Sequence, residues 1–160
     1  MRVPREVMAE HFRYYLRVRY SECDAQKVVF NARYGEYVDL ASTAFLRAIG
    51  LQELLVNGEF DYQVVKQVTE WKAPARFDEV LELSVYASHL GNTSFALVTE
   101  FRLAGSEPIT ATTETVYVAV NPETLTKIPL TEAVRHALQR GGPGLVVDHA
   151  GYLPLRDTVN

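Results

Sequence analysis

The stretch Asn31-Ala-Arg-Tyr-Gly-Glu-Tyr-Val-Asp-Leu-Ala-Ser-Thr-Ala-Phe-Leu-Arg-Ala-Ile-Gly50 decides how this chain folds. Tyr34, Tyr37, Val38, Ala41, Ala44, Phe45, Ala48 and Ile49 recur at the i, i+3, i+4, i+7 spacing of one helix face. Glu36, Asp39, Thr43 and Arg47 fall on the opposite face. The spacing predicts a helix of about four turns, capped by Asn31 and closed by Gly50. Leu46 lies off the stripe, so the helix is expected to be covered on more than one side.

On the N-terminal side, residues 14–20 alternate. Tyr14, Leu16, Val18 and Tyr20 point one way, and Arg17 and Arg19 the other, as in a half-buried strand. The polar loop Ser21-Glu-Cys-Asp-Ala-Gln-Lys27 follows, then Val28-Val-Phe30. On the C-terminal side the period changes from helix to strand. Strands are expected near 61–72, 79–89, 93–104 and 109–120, with hairpin turns at Leu90-Gly91-Asn92 and Ala104-Gly105-Ser106. In the last of these, Val116, Val118 and Val120 occupy one face and Thr115, Tyr117 and Ala119 the other, which predicts burial on both. Asn121-Pro122 ends it. Thr131 opens a short C-terminal helix as its cap. The expected architecture is α+β: one long helix against a five-stranded, mainly antiparallel sheet whose apolar face only that helix can cover. Residues 1–140 form one domain in this reading. Residues 141–160, rich in glycine and proline and without a period, form a tail that is disordered or packed on a partner subunit.

Composition excludes several functions. Hydrophobic residues make up 48% of the 160 and charged residues 22%, as in an ordinary globular domain. No apolar run approaches the roughly 20 residues that span a bilayer, and the N-terminus lacks the apolar core of a secretory signal. One cysteine, Cys23, cannot form an internal disulfide, so a reducing, cytoplasmic setting is expected. Net charge is −4 with no basic block, which argues against nucleic acid as a partner. Four scattered histidines and one cysteine give no zinc spacing, so no metal is expected.

Asp24 stands out because it lies seven residues before the expected helix start at Asn31. A loop folding back could hold its carboxylate beside first-turn N–H groups, which have no intrahelical partner and sit at the positive end of the helix dipole. Such donors can bind a developing oxyanion. Aspartate is equally an ordinary turn or cap residue. Cys23 has no histidine nearby in sequence and reads as a spectator thiol. His11, His89, His136 and His149 share no motif, and Trp71 reads as core or interface.

The segment Arg19-Tyr-Ser-Glu-Cys-Asp-Ala-Gln-Lys-Val-Val-Phe-Asn-Ala-Arg-Tyr34 resembles the signature of the 4-hydroxybenzoyl-CoA thioesterase and YbgC-like branch of hotdog proteins, roughly D-x-x-G-V-V-[FY]-x-x-x-Y before the long helix. Ala73-Pro-Ala-Arg-Phe-Asp78, Leu90-Gly-Asn-Thr-Ser94 and Tyr117-Val-Ala-Val-Asn-Pro are similar to further family segments, in the same order, so the likeness runs from about Tyr14 to Gln139. The resemblance implies a hotdog fold. It also implies an acyl-CoA thioesterase, which releases free acid and coenzyme A and needs no cofactor, because coenzyme A is part of the substrate. By position it makes Asp24 the catalytic carboxylate, as nucleophile or general base, and the Asn31 backbone N–H the oxyanion donor. Tyr34 matches the motif tyrosine. Read from the residues alone, Thr93 and Ser94 could line a ligand channel, though a hairpin start uses such residues anyway. A homodimer or homotetramer is implied as well, with sheets joined edge to edge and sites between subunits.

Lys27 departs from the pattern, which has glycine there. If the backbone needs φ > 0, lysine costs energy or the loop is rebuilt; the lysine could instead attract coenzyme A phosphates or stabilise the Asp24 carboxylate. A thiol leaving group with a pKa of about 8.5 departs without a strong acid, so one carboxylate and one or two donors can suffice. Two alternatives stay open. One is a hotdog hydratase or dehydratase, which would be expected to show a histidine partner in the Asp24–Tyr34 region. The other is a non-catalytic module binding acyl-CoA or a protein, for which Lys27 is the best argument.

Overall fold

The computed structural model describes residues 11–154; the stretches 1–10 and 155–160, which open the expected domain and end the expected tail, lie outside the described residues. The chain runs β1 (Phe12–Arg17), a 3-10 turn (Tyr20–Glu22), a second 3-10 turn (Asn31–Arg33) and α1 (Tyr34–Ala48). It continues through α2 (Gln52–Val56), β2 (Asp61–Trp71), β3 (Val80–Leu90), β4 (Ser94–Leu103), β5 (Ile109–Val120), α3 (Glu132–Arg140) and β6 (Val146–Asp148). One sheet holds all six strands in the order β2-β5-β4-β3-β1-β6, antiparallel except for the β1–β6 pair.

The helix forms where its period placed it. Tyr34, Tyr37, Val38, Ala41, Ala44 and Phe45 are buried, and so is Leu46, the residue off the stripe. They face Phe12, Tyr14 and Leu16 of β1, Leu81, Leu83 and Val85 of β3, and Phe95, Leu97 and Phe101 of β4 in one core. Burying each large side chain here contributes about 1.5–3 kcal/mol, so the strand alternation and the helix stripe stabilise each other. Gly50, at φ 90, turns the chain out of α1, as a left-handed residue after a helix does.

Four expectations need correction. Asn31 does not cap the long helix: a 3-10 turn occupies Asn31–Arg33, α1 begins at Tyr34, and neither start has a side-chain cap bond. A 3-10 turn tightens the entry and aims its first N–H groups outward instead of into a capping side chain. Tyr20 is 79% exposed, because β1 ends at Arg17 and the chain turns at Tyr20–Glu22 before the alternation can continue. α2 was missed, being only five residues long and too short for a period to register.

The sheet has six strands where five were expected. Val146–Asp148, in the tail read as aperiodic, pairs parallel with Arg13–Tyr15 of β1. The tail up to Pro154 is thus folded on its own chain, because Tyr152 stacks on Tyr15 and the Asp148 carboxylate accepts the N–H groups of Ala150, Tyr152 and Leu153. A three-residue strand is shorter than any alternation can reveal. The remaining strands, both hairpins, the doubly buried face of β5 and the Thr131 cap on α3 match expectation.

Candidate active site

The loop between β1 and α1 is a miniature hairpin. Cys23 bridges Val29, Asp24 N–H donates to Val28 O (2.9 Å), and Lys27 N–H closes the turn onto Asp24 O (2.9 Å). The Asp24 carboxylate accepts Gln26 N–H through Oδ1 at 2.8 Å, the local turn bond that aspartate favours. That leaves Oδ2 without a protein donor among the described residues. Lys27 sits at φ 62, so the loop keeps the left-handed backbone that glycine adopts freely, at a cost of about 1–2 kcal/mol for a residue with a Cβ. The second half of the loop is pinned to the β2–β3 connection: Val29 N–H donates to Ala75 O, and Phe77 N–H to Lys27 O.

Beyond the hairpin the chain enters the 3-10 turn. Arg33 N–H bonds Phe30 O and Tyr34 N–H bonds Asn31 O, while the N–H groups of Asn31 and Ala32 find no acceptor among the described residues. They lie at the positive end of α1, the arrangement that favours an anion or a developing oxyanion. A groove of about 310 Å³ opens at this point, lined by Val29, Asn31, Tyr34, Trp71, Lys72, Ala73 and Pro74. Its walls are apolar and aromatic: Trp71 meets Tyr34 edge-on at 5.9 Å, and Tyr34 leans on Phe101 at 5.1 Å. Burial raises the Tyr34 phenol pKa, with the Ala75 backbone acting in the opposite direction.

Of the candidate residues, the groove brings Asn31 and Tyr34 together. Asp24 and Lys27 lie on the adjoining hairpin, Asp24 one ladder step from the Cys23–Val29 bridge that carries a groove residue. Thr93 and Ser94 lie elsewhere. Ser94 pairs with Val118 and Val118 with Gln63, whereas the groove is at Trp71, eight residues further along β2. That separation is roughly 26 Å at about 3.3 Å per residue. Thr93 O accepts Ala119 N–H, so within one chain this pair serves the β4 turn.

Trp71, Lys72 and Pro74 were not singled out for the site, because nothing local ties the end of β2 to a loop more than forty residues earlier. The similarity at Ala73–Asp78 was the available signal. Cys23 stays a thiol: burial raises its pKa, and the Glu22 and Asp24 carboxylates add to that. His11 stacks on Tyr86, His149 lies tilted against Tyr14, and no histidine lines the groove. No cluster of three metal-binding side chains occurs among the described residues, and no helix there is long and apolar enough to cross a membrane.

One long helix laid on a mainly antiparallel sheet, with the Asp24 hairpin and, at the helix entry, N–H groups that lack an acceptor among the described residues, has the architecture of a hotdog protein. The family profile of the thioesterase-like superfamily matches residues 18–138. The chain belongs to this superfamily, and its class is that of a thioester hydrolase. It is 33% identical over 113 residues to the acyl-CoA thioester hydrolase YbgC of Escherichia coli O6:H1, covering 69% of this chain and 83% of that protein. Among solved structures it is similar to a 1,4-dihydroxy-2-naphthoyl-CoA thioesterase from Synechocystis (TM-score 0.71, 22% identity, 80% of this chain and 95% of that one). It is also similar to YbaW, a probable thioesterase from Escherichia coli (TM-score 0.73, 21% identity, 81% and 98%). At those identities the two structures speak for the fold.

Proposed function

We propose that the protein hydrolyses acyl-CoA thioesters to free acid and coenzyme A, with Asp24 as the catalytic carboxylate and the Asn31 N–H as oxyanion donor. The observation that carries this reading is the N–H pair of Asn31 and Ala32, which has no acceptor among the described residues and opens on an aromatic-walled groove beside the Asp24 hairpin. The acyl carbonyl would lie against those donors, where negative charge on its oxygen is stabilised as the carbonyl carbon becomes tetrahedral. Asp24 then either attacks that carbon, giving an anhydride that water cleaves, or takes a proton from an attacking water. In both routes coenzyme A leaves as thiolate. Label in the Asp24 carboxylate after single turnover in H₂¹⁸O identifies the anhydride when water cleaves it at the aspartyl carbon, and trapping of the acylated Asp24 covers cleavage at the acyl carbon.

The site is completed, in this reading, by a second copy. β2 is an edge strand of eleven residues, and Val64, Val65, Val68 and Trp71 on it are 46–59% exposed. Unpaired edge groups beside apolar side chains are a liability unless covered. Antiparallel pairing of β2 with β2 of another copy would cover them and wall the groove at Trp71. It would also carry Thr93 and Ser94 of the second copy toward the first copy's groove, which gives those residues their ligand-channel role.

The left-handed backbone at Lys27 supports activity over a purely binding module, since the loop holds the conformation of the glycine it replaces. The absence of histidine from the groove lining weighs against the hydratase alternative. Thiol release from a panel of acyl-CoAs is the test. Release supports the thioesterase reading, hydration without release supports the hydratase, and ligand-induced melting shifts without turnover leave a binding protein.

A further inference from the structure

We infer that Glu22 and Tyr37 form a buried clamp that fixes the Asp24 hairpin against α1, and that both are positioning residues for the reaction. The inference rests on the thioesterase reading above for its kinetic consequence. Its structural basis is independent.

Glu22 is 3% exposed, a carboxylate inside a loop whose other polar side chains face solvent or its rim. Its bonds close its own turn through Arg19 and reach two further segments, α1 through Tyr37 and the returning arm through Phe30. Oε1 accepts the Arg19 N–H at 2.8 Å and the Tyr37 hydroxyl at 2.8 Å. Oε2 accepts Arg19 Nε at 3.0 Å and Nη2 at 2.7 Å. Its backbone carbonyl accepts Phe30 N–H at 2.9 Å. Asp24 is two residues after Glu22, and Asn31 is the residue after Phe30. The side chain therefore ties the outgoing arm of the hairpin to α1, while the carbonyl ties it to the returning arm that delivers the Asn31 N–H.

Tyr37 is 1% exposed and lies on the first turn of α1, so its ring is held by the core and its hydroxyl is a fixed point. A buried carboxylate with four donors is costly to disturb, because removing one partner leaves the others desolvated and unmatched. The clamp sets the spacing between carboxylate and oxyanion donor, and an error of about 1 Å in such spacing can cost about 10²-fold in rate.

A matched control exists on the other face of the sheet. Tyr15 donates to Glu82 Oε2 at 2.9 Å, also with a 2%-exposed ring, but with no connection to the groove. If the Glu22–Tyr37 bond were merely structural, Tyr37→Phe and Tyr15→Phe would behave alike.

The experiment compares the full chain with Tyr37→Phe, Tyr15→Phe, Glu22→Gln and Glu22→Asp. Steady-state hydrolysis of benzoyl-CoA and hexanoyl-CoA is measured well below each melting midpoint, together with amide exchange at Asp24, Val29 and Phe30. The clamp predicts that Tyr37→Phe lowers kcat about tenfold with KM within about twofold, and Glu22→Gln about 10²-fold, with partial recovery in Glu22→Asp. It predicts exchange at Phe30 and Asp24 at least about tenfold faster in Tyr37→Phe, with both readouts unchanged in Tyr15→Phe. Should Glu22→Gln fail to fold, Tyr37→Phe decides. A Tyr37→Phe protein with parental kcat and parental exchange overturns the clamp. If the parent releases no thiol from either ester, the thioesterase reading falls, and exchange alone then decides, with an unchanged Phe30 rate overturning the clamp.

Discussion

The two edges of the sheet are built on opposite plans. At one edge β6 is three residues long and parallel to β1, and the chain beyond it folds over at once. Asp148 gathers three backbone N–H groups there, and Tyr152 stacks on Tyr15 at 5.1 Å. At the other edge β2 runs eleven residues with four exposed large hydrophobic side chains and a register shift at Val65 that bends it. A short strand with a folded-over end offers little to another chain, whereas a long apolar edge invites one. The groove lies at the open edge. In the proposed reading chemistry and assembly share that border of the molecule, whereas the opposite border is covered by the chain's own residues 146–154.

The strongest way to break this comparison is at the open edge itself. Asp24→Asn preserves the turn, since asparagine accepts the same Gln26 bond, but removes the anionic group. We expect kcat to fall by about 10²–10⁴ with the melting midpoint nearly unchanged. A variant within a few-fold of the parent would remove Asp24 from the mechanism. Next in size is Val65→Lys, which puts a charge on the exposed edge. Sedimentation at low micromolar concentration should shift toward the 18.0 kDa species, and kcat/KM should fall at least about tenfold as the groove loses its wall. If the parent itself sediments only as monomer, the edge has no partner and the shared border is an illusion.

At the closed edge the effects should be on stability alone. Burial pushes the Asp148 carboxyl pKa up, but the Leu153, Ala150 and Tyr152 N–H groups outweigh it and hold the net value below that of a free aspartate. A folded pKa below the unfolded value, about 3.9, means the stabilisation is complete above that value. It drains as pH falls through the folded one. Asp148→Ala should cost about 1 kcal/mol at pH 7 in a solvent-accessible turn, with kcat unchanged, and the difference from the parent should shrink below about pH 4. Calorimetry at the two pH values tests this. Smallest is Lys27→Gly. Relief of the left-handed strain is offset by the extra freedom of glycine in the unfolded chain, so the midpoint should move by less than about 1 kcal/mol equivalent. Activity should hold or rise. Loss of kcat at constant KM would put Lys27 in the chemistry, while a raised KM with weaker salt dependence would make it a coenzyme A contact.

Legibility in the sequence followed the range of the interaction. The α1 stripe and the strand runs of β3, β4 and β5 extend over ten residues or more, and the structure forms these elements where they were expected. Asp24 and Asn31 were visible because their relation is local, a hairpin of fewer than ten residues leading into a helix. Trp71 and Pro74 were not, since they meet Asn31 only through the antiparallel return of β2 and the Val29–Ala75 bond. Glu22 looked like one more loop acid. Its burial depends on Tyr37 of α1 meeting it across the loop, in addition to the local bonds from Arg19.

By itself, then, the sequence determined the helix, the antiparallel strands and the acidic loop before the helix, because periodicity and turn chemistry are properties of neighbouring residues. Only the tertiary structure decided which edge of the sheet stays open and that the tail closes the other. It also decided that a glutamate two residues from Asp24 is buried against α1. Those outcomes rest on desolvation and hydrogen bonding between segments far apart in the chain, where no local spacing carries the information.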